Sequence, residues 1–361
     1  MQATATSPHS ETSQLRVLYV GDLSPGTTSA QRFMAFRELG CIVHGIDVAN
    51  AAHRTRDKQP WERVRRKLLG PRDWANANDQ IAVALQRARF DAVWIDRGLT
   101  IEPHTLEAAR RRQPACRIIG YSPDDMYARH NQSPQFRRHL PLYDLYFTTK
   151  SYGVVELKAM GCPDVAFCAN AFDPRTHRPL PVTPADRLRF GGLAGFIGTW
   201  EPARSASLQQ LASAGVPVRV WGNGWEHHRR PHPNLHIEGR ALYGDDYALA
   251  ICAFDINLCF LRKLNRDVQT QRSVEIPACG AFMLAERTDE HRALFEERCE
   301  AAYFANDREL VDATHYYLRH PNERQRIAAA GRGRCLRDGY SYTARLRVML
   351  SRAGLEPVVE R

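Results

Sequence analysis

The chain has no Cys-x-x-Cys pair, no Gly-x-Gly-x-x-Gly fingerprint and no apolar run near the ~20 residues that span a bilayer. Its nine cysteines are odd in number and scattered, which argues against a disulfide framework or a zinc ribbon. Most are expected to be buried thiols acting as small apolar side chains. The absent glycine fingerprint argues against a nicotinamide dinucleotide. Residues 1–14 are polar, rich in Ser and Thr, and hold no apolar signal core, so a disordered tail on a cytoplasmic protein is expected. His227, His228 and His232 have no carboxylate or Cys at ligand spacing, and adjacent His side chains diverge, so no metal is expected. Short-period repeats and low-complexity tracts are also missing.

What is present is an ordinary globular mixture, 43% hydrophobic and 25% charged, in 361 residues. That length exceeds what one core usually supports and predicts two domains. The net charge is +10. Such a surface suits nucleic acid, an anionic membrane or phosphorylated ligands; with no nucleic-acid-binding motif, nucleic acid is not expected as a partner. Half the excess lies in residues 54–69, where seven Lys or Arg face Asp57 and Glu62. There Trp61, Val64 and Leu68 share one helical face, as in a helix lying on an anionic membrane or one packed on its own domain.

Apolar runs at 15–20, 42–48, 92–96, 117–121, 145–148 and 165–169 read as buried strands, with helical periodicity between several of them. Strand, glycine loop (Gly21 to Gly26), helix and strand form a right-handed βαβ unit. Four prolines in 173–186 predict a linker rather than a helix. The pattern restarts with strands at 195–198, 216–221, 235–238, 256–260 and 281–285, and an amphipathic helix is predicted over 341–352. The fold class is therefore α/β. The expected parts are a tail (1–14), an N-terminal domain (15–173), a linker (174–186), a C-terminal domain (187–340) and a C-terminal helix and tail (341–361).

The most informative segment runs from Asn265 to Gly280: a polar loop, a short helix carrying Glu275, and Gly280 as a left-handed cap before a strand. A carboxylate at a crevice of a parallel sheet can hold two ribose hydroxyls. The same Glu can instead simply favour its helix dipole. Asp124 and Asp125 follow a buried strand, where either can serve as a base, hold a sugar hydroxyl or cap a helix.

Glu275-Ile-Pro-Ala-Cys-Gly followed by Ala-Phe-Met-Leu resembles the donor-site core of GT-B glycosyltransferases, in particular a spore-maturation-protein-like (CgeB-like) group similar to family-four transferases. The resemblance covers most of the chain. It implies two Rossmann-like, doubly wound domains facing across a cleft, and transfer of a hexose-like sugar from a nucleoside diphosphate to an acceptor hydroxyl. No metal or other cofactor is implied, and the acceptor would be a glycan, a lipid-linked species or a protein. Such enzymes carry two acidic residues separated by seven others, and Asp267 and Glu275 have that spacing. By resemblance Glu275 binds the ribose and Asp267 lies near the donor sugar, although Asp stands where Glu is usual. Gly198 and Thr199 open the loop facing the diphosphate; relatives often have a basic residue at the latter position, which leaves Arg204, Arg266 or Arg272 to neutralise it. Gly222, Arg240 and Tyr243 lie in loops that touch the base in relatives. Gly21 and Gly26 would let the backbone approach donor or acceptor. Asp124 and Asp125 stand where retaining relatives often have His. Two alternatives on the same fold are a nucleotide-sugar epimerase and a non-catalytic surface or coat protein.

Overall fold

A computed structural model describes residues 14–49 and 60–357. The N-terminal sheet contains β1 (Arg16–Gly21), β2 (Ile42–Asp47), β3 (Ala92–Asp96), β4 (Arg117–Ser122), β5 (Leu145–Thr148) and β6 (Val165–Phe167), in the order β2-β1-β3-β4-β5-β6. The C-terminal sheet contains β7 (Gly192–Ile197), β8 (Val218–Trp221), β9 (Leu235–Ile237), β10 (Phe254–Cys259), β11 (Met283–Glu286) and β12 (Ala302–Phe304), in the order β12-β11-β10-β7-β8-β9. Every pairing within these two sheets is parallel. Helices cover both faces, which is why strands such as β3 and β5 are buried along their whole length and read as continuous apolar runs.

The expected strands occur within two or three residues of their predicted ends. β12, only three residues long, was not predicted. The linker expectation needs correction at its end. Pro184 opens a helix, Pro184–Phe190, whose capping box pairs Thr183 with Asp186. Proline is tolerated there because the first helical N–H has no intrahelical partner.

The predicted last helix, Tyr342–Arg352, leaves the C-terminal domain and returns to the N-terminal one. Tyr342, Leu346, Met349 and Leu350 join the core built on Val17, Tyr19, Phe36 and Trp94. The outgoing and returning crossings are bonded to each other: Phe172 N–H donates to Tyr340 O, and Tyr342 N–H to Phe172 O. The described part of the basic run forms the helix Pro60–Leu69. Residues 1–13, 50–59 and 358–361 lie outside the described residues, as do the side chains of Arg63, Val64 and Leu68, so the proposed apolar face is seen only at Trp61, which is exposed.

Candidate functional site

In each domain the strand order reverses beside the first strand, between β1 and β3 and between β7 and β10. Loops leaving the carboxyl ends of such strands diverge and open a crevice. Most of the residues singled out from the sequence lie on these loops.

On the C-terminal side, Gly198 and Gly222 sit in touching loops. Gly222 has a positive φ, and a Cβ on it would come 2.0 Å from Gly198 O, so only glycine fits. Arg204 sits on the helix Pro202–Ser213 and is buried. Its guanidinium donates to the carbonyls of Thr199, Phe260 and Leu261, which bridges the two sides of the reversal. Arg272 begins the helix Arg272–Ala278, and its Nε is buried with no hydrogen-bond partner. Both guanidiniums approach the Phe196 ring, at 5.6 and 5.7 Å from its centroid. Among the described residues no carboxylate comes within salt-bridge distance of either. Burial first, and Arg272 second, pull the Arg204 guanidinium down to about 10. Two like charges in a poorly solvated place can serve as an anion site.

Glu275 lies in the first turn of the same helix and is buried. Tyr247 OH donates to its Oε2 at 2.6 Å. His177, from the linker, faces Oε1 at 3.5 Å. Because Asp173 N–H donates to His177 Nδ1, the proton of the neutral ring sits on Nε2, toward Glu275. A carboxylate has about four lone-pair sites, so two remain for a ligand. Gly280 takes the expected left-handed conformation after this helix, with φ 69°. Arg240 stacks on Trp221, and exposed Tyr243 meets the facing domain at Gly26, where a Cβ would come 3.1 Å from its ring.

The loop joining β10 to the Glu275 helix grips the N-terminal domain. Asp267 is buried and paired with Lys150 Nζ at 2.5 Å, and Asn265 donates to the same oxygen. Two sequence expectations are corrected here. Arg266, expected at the diphosphate, turns away to Asp125 and Glu156 and packs on Tyr152. Asp125, for which base, sugar-hydroxyl ligand and cap were all open, is buried away from the first two roles: its carboxylate holds Arg266 and accepts from the N–H groups of Tyr127 and Ala128, as a cap does. Reaching a neighbouring domain's opposite charge outweighed reaching the cleft. Asn170 to Gln269 and Ser151 to Glu290 add further links between the domains.

Asp124 points the other way, into a hollow of about 570 Å³ in the N-terminal domain. The β1 loop (Asp22, Thr27, Ser29), the end of β3 (Asp96, Arg97, Gly98) and Arg66, Arg72 and Trp74 line it. Arg97 pairs with Asp124 at 3.1 Å from a backbone at φ 64°, a strained conformation for a residue with a Cβ. Below the hollow Arg32 is buried against Asp96 at 2.5 Å and over the Tyr121 ring, while Tyr19 donates to the same carboxylate. Gly21 leaves room for this cluster: its Cβ would come 2.4 Å from Ser29 Oγ.

The sequence reading missed Lys150, His177, Tyr247, Arg97 and the Arg32–Asp96 pair. Arg97 follows a predicted strand directly and Lys150 lies two residues past one, the one signal that marked them. In the histidine-rich loop His228 is held by Ser205 Oγ and Arg230 O. Among the described residues no group of three or more His, Cys, Asp or Glu has the geometry to hold a metal ion.

Residues 204–351 match a family model described as glycosyl transferase-like. No curated protein sequence matches the chain. Among solved structures, Anabaena HepE in complex with UDP-glucose has a TM-score of 0.62 at 12% identity, covering 94% of this chain and 100% of that one. Sucrose-phosphate synthase from Thermosynechococcus elongatus has a TM-score of 0.63 at 10% identity, covering 94% and 99%. A Listeria monocytogenes protein described as a putative UDP-N-acetylglucosamine 2-epimerase aligns with a TM-score of 0.52 at 12% identity, covering 96% and 100%. Two six-stranded parallel sheets, each with its crevice turned to the other, and these likenesses make the chain a GT-B-fold protein whose residues 204–351 carry a glycosyl transferase-like sequence.

Proposed function

We propose that this chain is a glycosyltransferase that moves a hexose-like sugar from a nucleoside-diphosphate donor to an acceptor hydroxyl. The observation that carries the reading is the Arg204–Arg272 pair, two guanidiniums without a carboxylate partner, one turn from Glu275. In this reading the pair and nearby backbone N–H groups stabilise the departing diphosphate, the largest charge to develop in the transition state. Glu275, oriented by Tyr247 and His177, holds the ribose, and Asp267 and Lys150 border the donor sugar. No metal or other cofactor is assigned a role. Relatives of the fold that bind UDP-glucose or UDP support the choice of donor.

The test is thermal stabilisation by UDP, GDP and their sugars, since a ligand bound to the folded state raises its stability by mass action. Stabilisation by NAD alone would sink the reading. The likeness to an epimerase favours a second reading on the same site, and product analysis separates the two: an epimerase alters the sugar nucleotide with no acceptor present.

Retention of configuration is the proposed outcome. Asp124 is ion-paired to Arg97 and so is a poor candidate for a free base, while Asp267 and Glu275 keep the spacing found in retaining relatives. Proton NMR of the first product from an α-linked donor should show an α linkage; a β linkage means inversion. The acceptor is proposed to be a glycan, a lipid-linked species or a protein, in surface glycoconjugate or polysaccharide synthesis. No helix among the described residues is long and apolar enough to cross a membrane. A cytoplasmic protein touching an anionic membrane through the helix Pro60–Leu69, with Trp61 and Leu69 exposed on it, is the proposed location. Co-sedimentation with phosphatidylglycerol vesicles tests that contact.

A further inference from the structure

The hollow that holds Asp124 has a neighbour on the same domain. Arg66 lines it and also lines a second hollow of about 600 Å³ on the same domain. That second hollow is bordered by Arg66, Arg129, Arg137, His130, Gln132 and Ser133, with Pro134 between, and no Asp or Glu is among them. Elsewhere on this molecule arginine is routinely matched: Arg97 to Asp124, Arg110 to Asp144, Arg266 to Asp125 and Glu156. Arg66, Arg129 and Arg137 are exposed, and among the described residues none of them pairs with a carboxylate. Three unmatched guanidiniums around one concavity repel one another unless an anion joins them, and their planar forks fit phosphate oxygens in pairs.

The first hollow has a different character. Asp22, Asp124, Ser29 and Thr27 offer hydroxyl-binding groups and Trp74 offers an aromatic wall, the combination that suits a saccharide. Arg66 borders both hollows, one furnished for a polyhydroxylated ligand and the other for an anionic one.

We infer that the acceptor is a phosphorylated saccharide, whose sugar occupies the Asp124 hollow and whose phosphate ester is held by Arg66, Arg129 and Arg137. The inference rests on the glycosyltransferase reading above and names the substrate class of its acceptor side. The phosphate need not take part in the chemistry; it anchors the acceptor, and the attacking hydroxyl belongs to the sugar. A soluble sugar phosphate and a polyprenyl-phosphate-linked sugar present the same chemistry.

The experiment uses the full chain saturated with UDP, so that added phosphate does not report on the donor site. Glucose 6-phosphate and glucose are titrated by calorimetry. In parallel, vesicles of phosphatidylcholine doped with polyprenyl phosphate are compared with vesicles carrying equal charge as phosphatidylglycerol. The wild type should prefer glucose 6-phosphate to glucose by at least about tenfold, the worth of one charge-assisted contact. The Arg129→Glu/Arg137→Glu variant should lose that preference, as should the milder Arg129→Gln/Arg137→Gln, while both bind UDP as before. A polyprenyl-phosphate preference with no response to glucose 6-phosphate, lost in the same variants, supports the lipid-linked source. If neither probe is preferred over its control, or if the preference survives in both variants, the inference is overturned. Failure of UDP itself to bind is a different result, because it removes the nucleotide-sugar reading rather than the phosphate site.

Discussion

Glu275 holds two jobs that pull against each other in a mutational test. Replacing it by Ala should weaken UDP binding by about 2–4 kcal/mol through lost ribose hydrogen bonds. It also strands the hydroxyl of Tyr247, a half-buried ring whose acidity is suppressed by burial first and by the Glu275 carboxylate next. An unpartnered buried hydroxyl costs about 1–3 kcal/mol of stability. Tyr247→Phe with Glu275 intact separates the effects. Stability should fall by about 1.5–3 kcal/mol, the worth of the charge-assisted hydrogen bond that the buried Glu275 carboxylate loses, and UDP affinity measured by calorimetry should fall only as far as the carboxylate loses its orientation. Lys150 and Asp267 form the other buried pair that joins a candidate site residue to the facing domain. Lys150→Met leaves Asp267 buried and unpaired, at a cost of about 3–5 kcal/mol; adding Asp267→Leu should recover most of it. Urea midpoints of the two single variants and the double decide this.

Helices and loops decide what those side chains can reach. The helix Tyr342–Arg352 is continuous in sequence with the C-terminal domain, yet Leu346 is fully buried in the N-terminal core. Leu346→Ala should therefore cost about 2–5 kcal/mol. Hydrogen exchange should locate the loss in β1 and β3 rather than in β7 and β10. If the C-terminal sheet loosens first, the helix is not an N-terminal-domain element in solution. The loop from Asn265 to Gln271 behaves in a comparable way. It was expected to present Asp267 and Arg266 to the donor, but most of its side chains are committed to the opposite domain: Asn265 to Asn131, Arg266 to Asp125, Gln269 to Asn170 and Gln271 to Tyr342. The loop joins the two domains and also borders the proposed donor site.

Among the described residues His139 and His291 are fully buried, one in each sheet's domain, and both are less basic than a free imidazole. Burial is the chief cause in each case. His139 supports the end of β3 by bonding Gly98 O at 2.8 Å, and its value is lowered from 6.5 to about 4. His291 donates from Nδ1 to Glu286 O, so its Nε2 accepts from Ser273, on the helix that carries Glu275. The folded value of His139 lies below the unfolded one, so the unfolded chain binds the proton more tightly. Its contribution is complete above about pH 6.5 and is lost as pH falls toward about 4, about 3 kcal/mol in all. Urea unfolding across that range should show the decline in the wild type. His139→Gln, which still donates to Gly98 O, should flatten it.

Much of this architecture was legible before the coordinates because it is written locally. Strands buried on both faces must be apolar along their length, and so β1, β3, β4, β5 and β10 stand out within a few residues. The left-handed cap at Gly280 and the turn at Gly222 need a residue without a Cβ, which a reader can see in one place in the chain. Glu275 could be picked out for the same reason, since its helix, cap and following strand are adjacent in sequence. Lys150 and Asp267 lie 117 positions apart, and Arg266 and Asp125 lie 141 apart. No periodicity marks such partners, because their energy comes from an opposite charge brought close by the folding of two other domains' worth of chain. The same holds for Arg66, Arg129 and Arg137, which line one concavity only because two helices and a short 3-10 turn border it. Composition and spacing therefore marked the strands and the α/β fold class, whereas the direction each charged side chain takes was left to contacts made at long range.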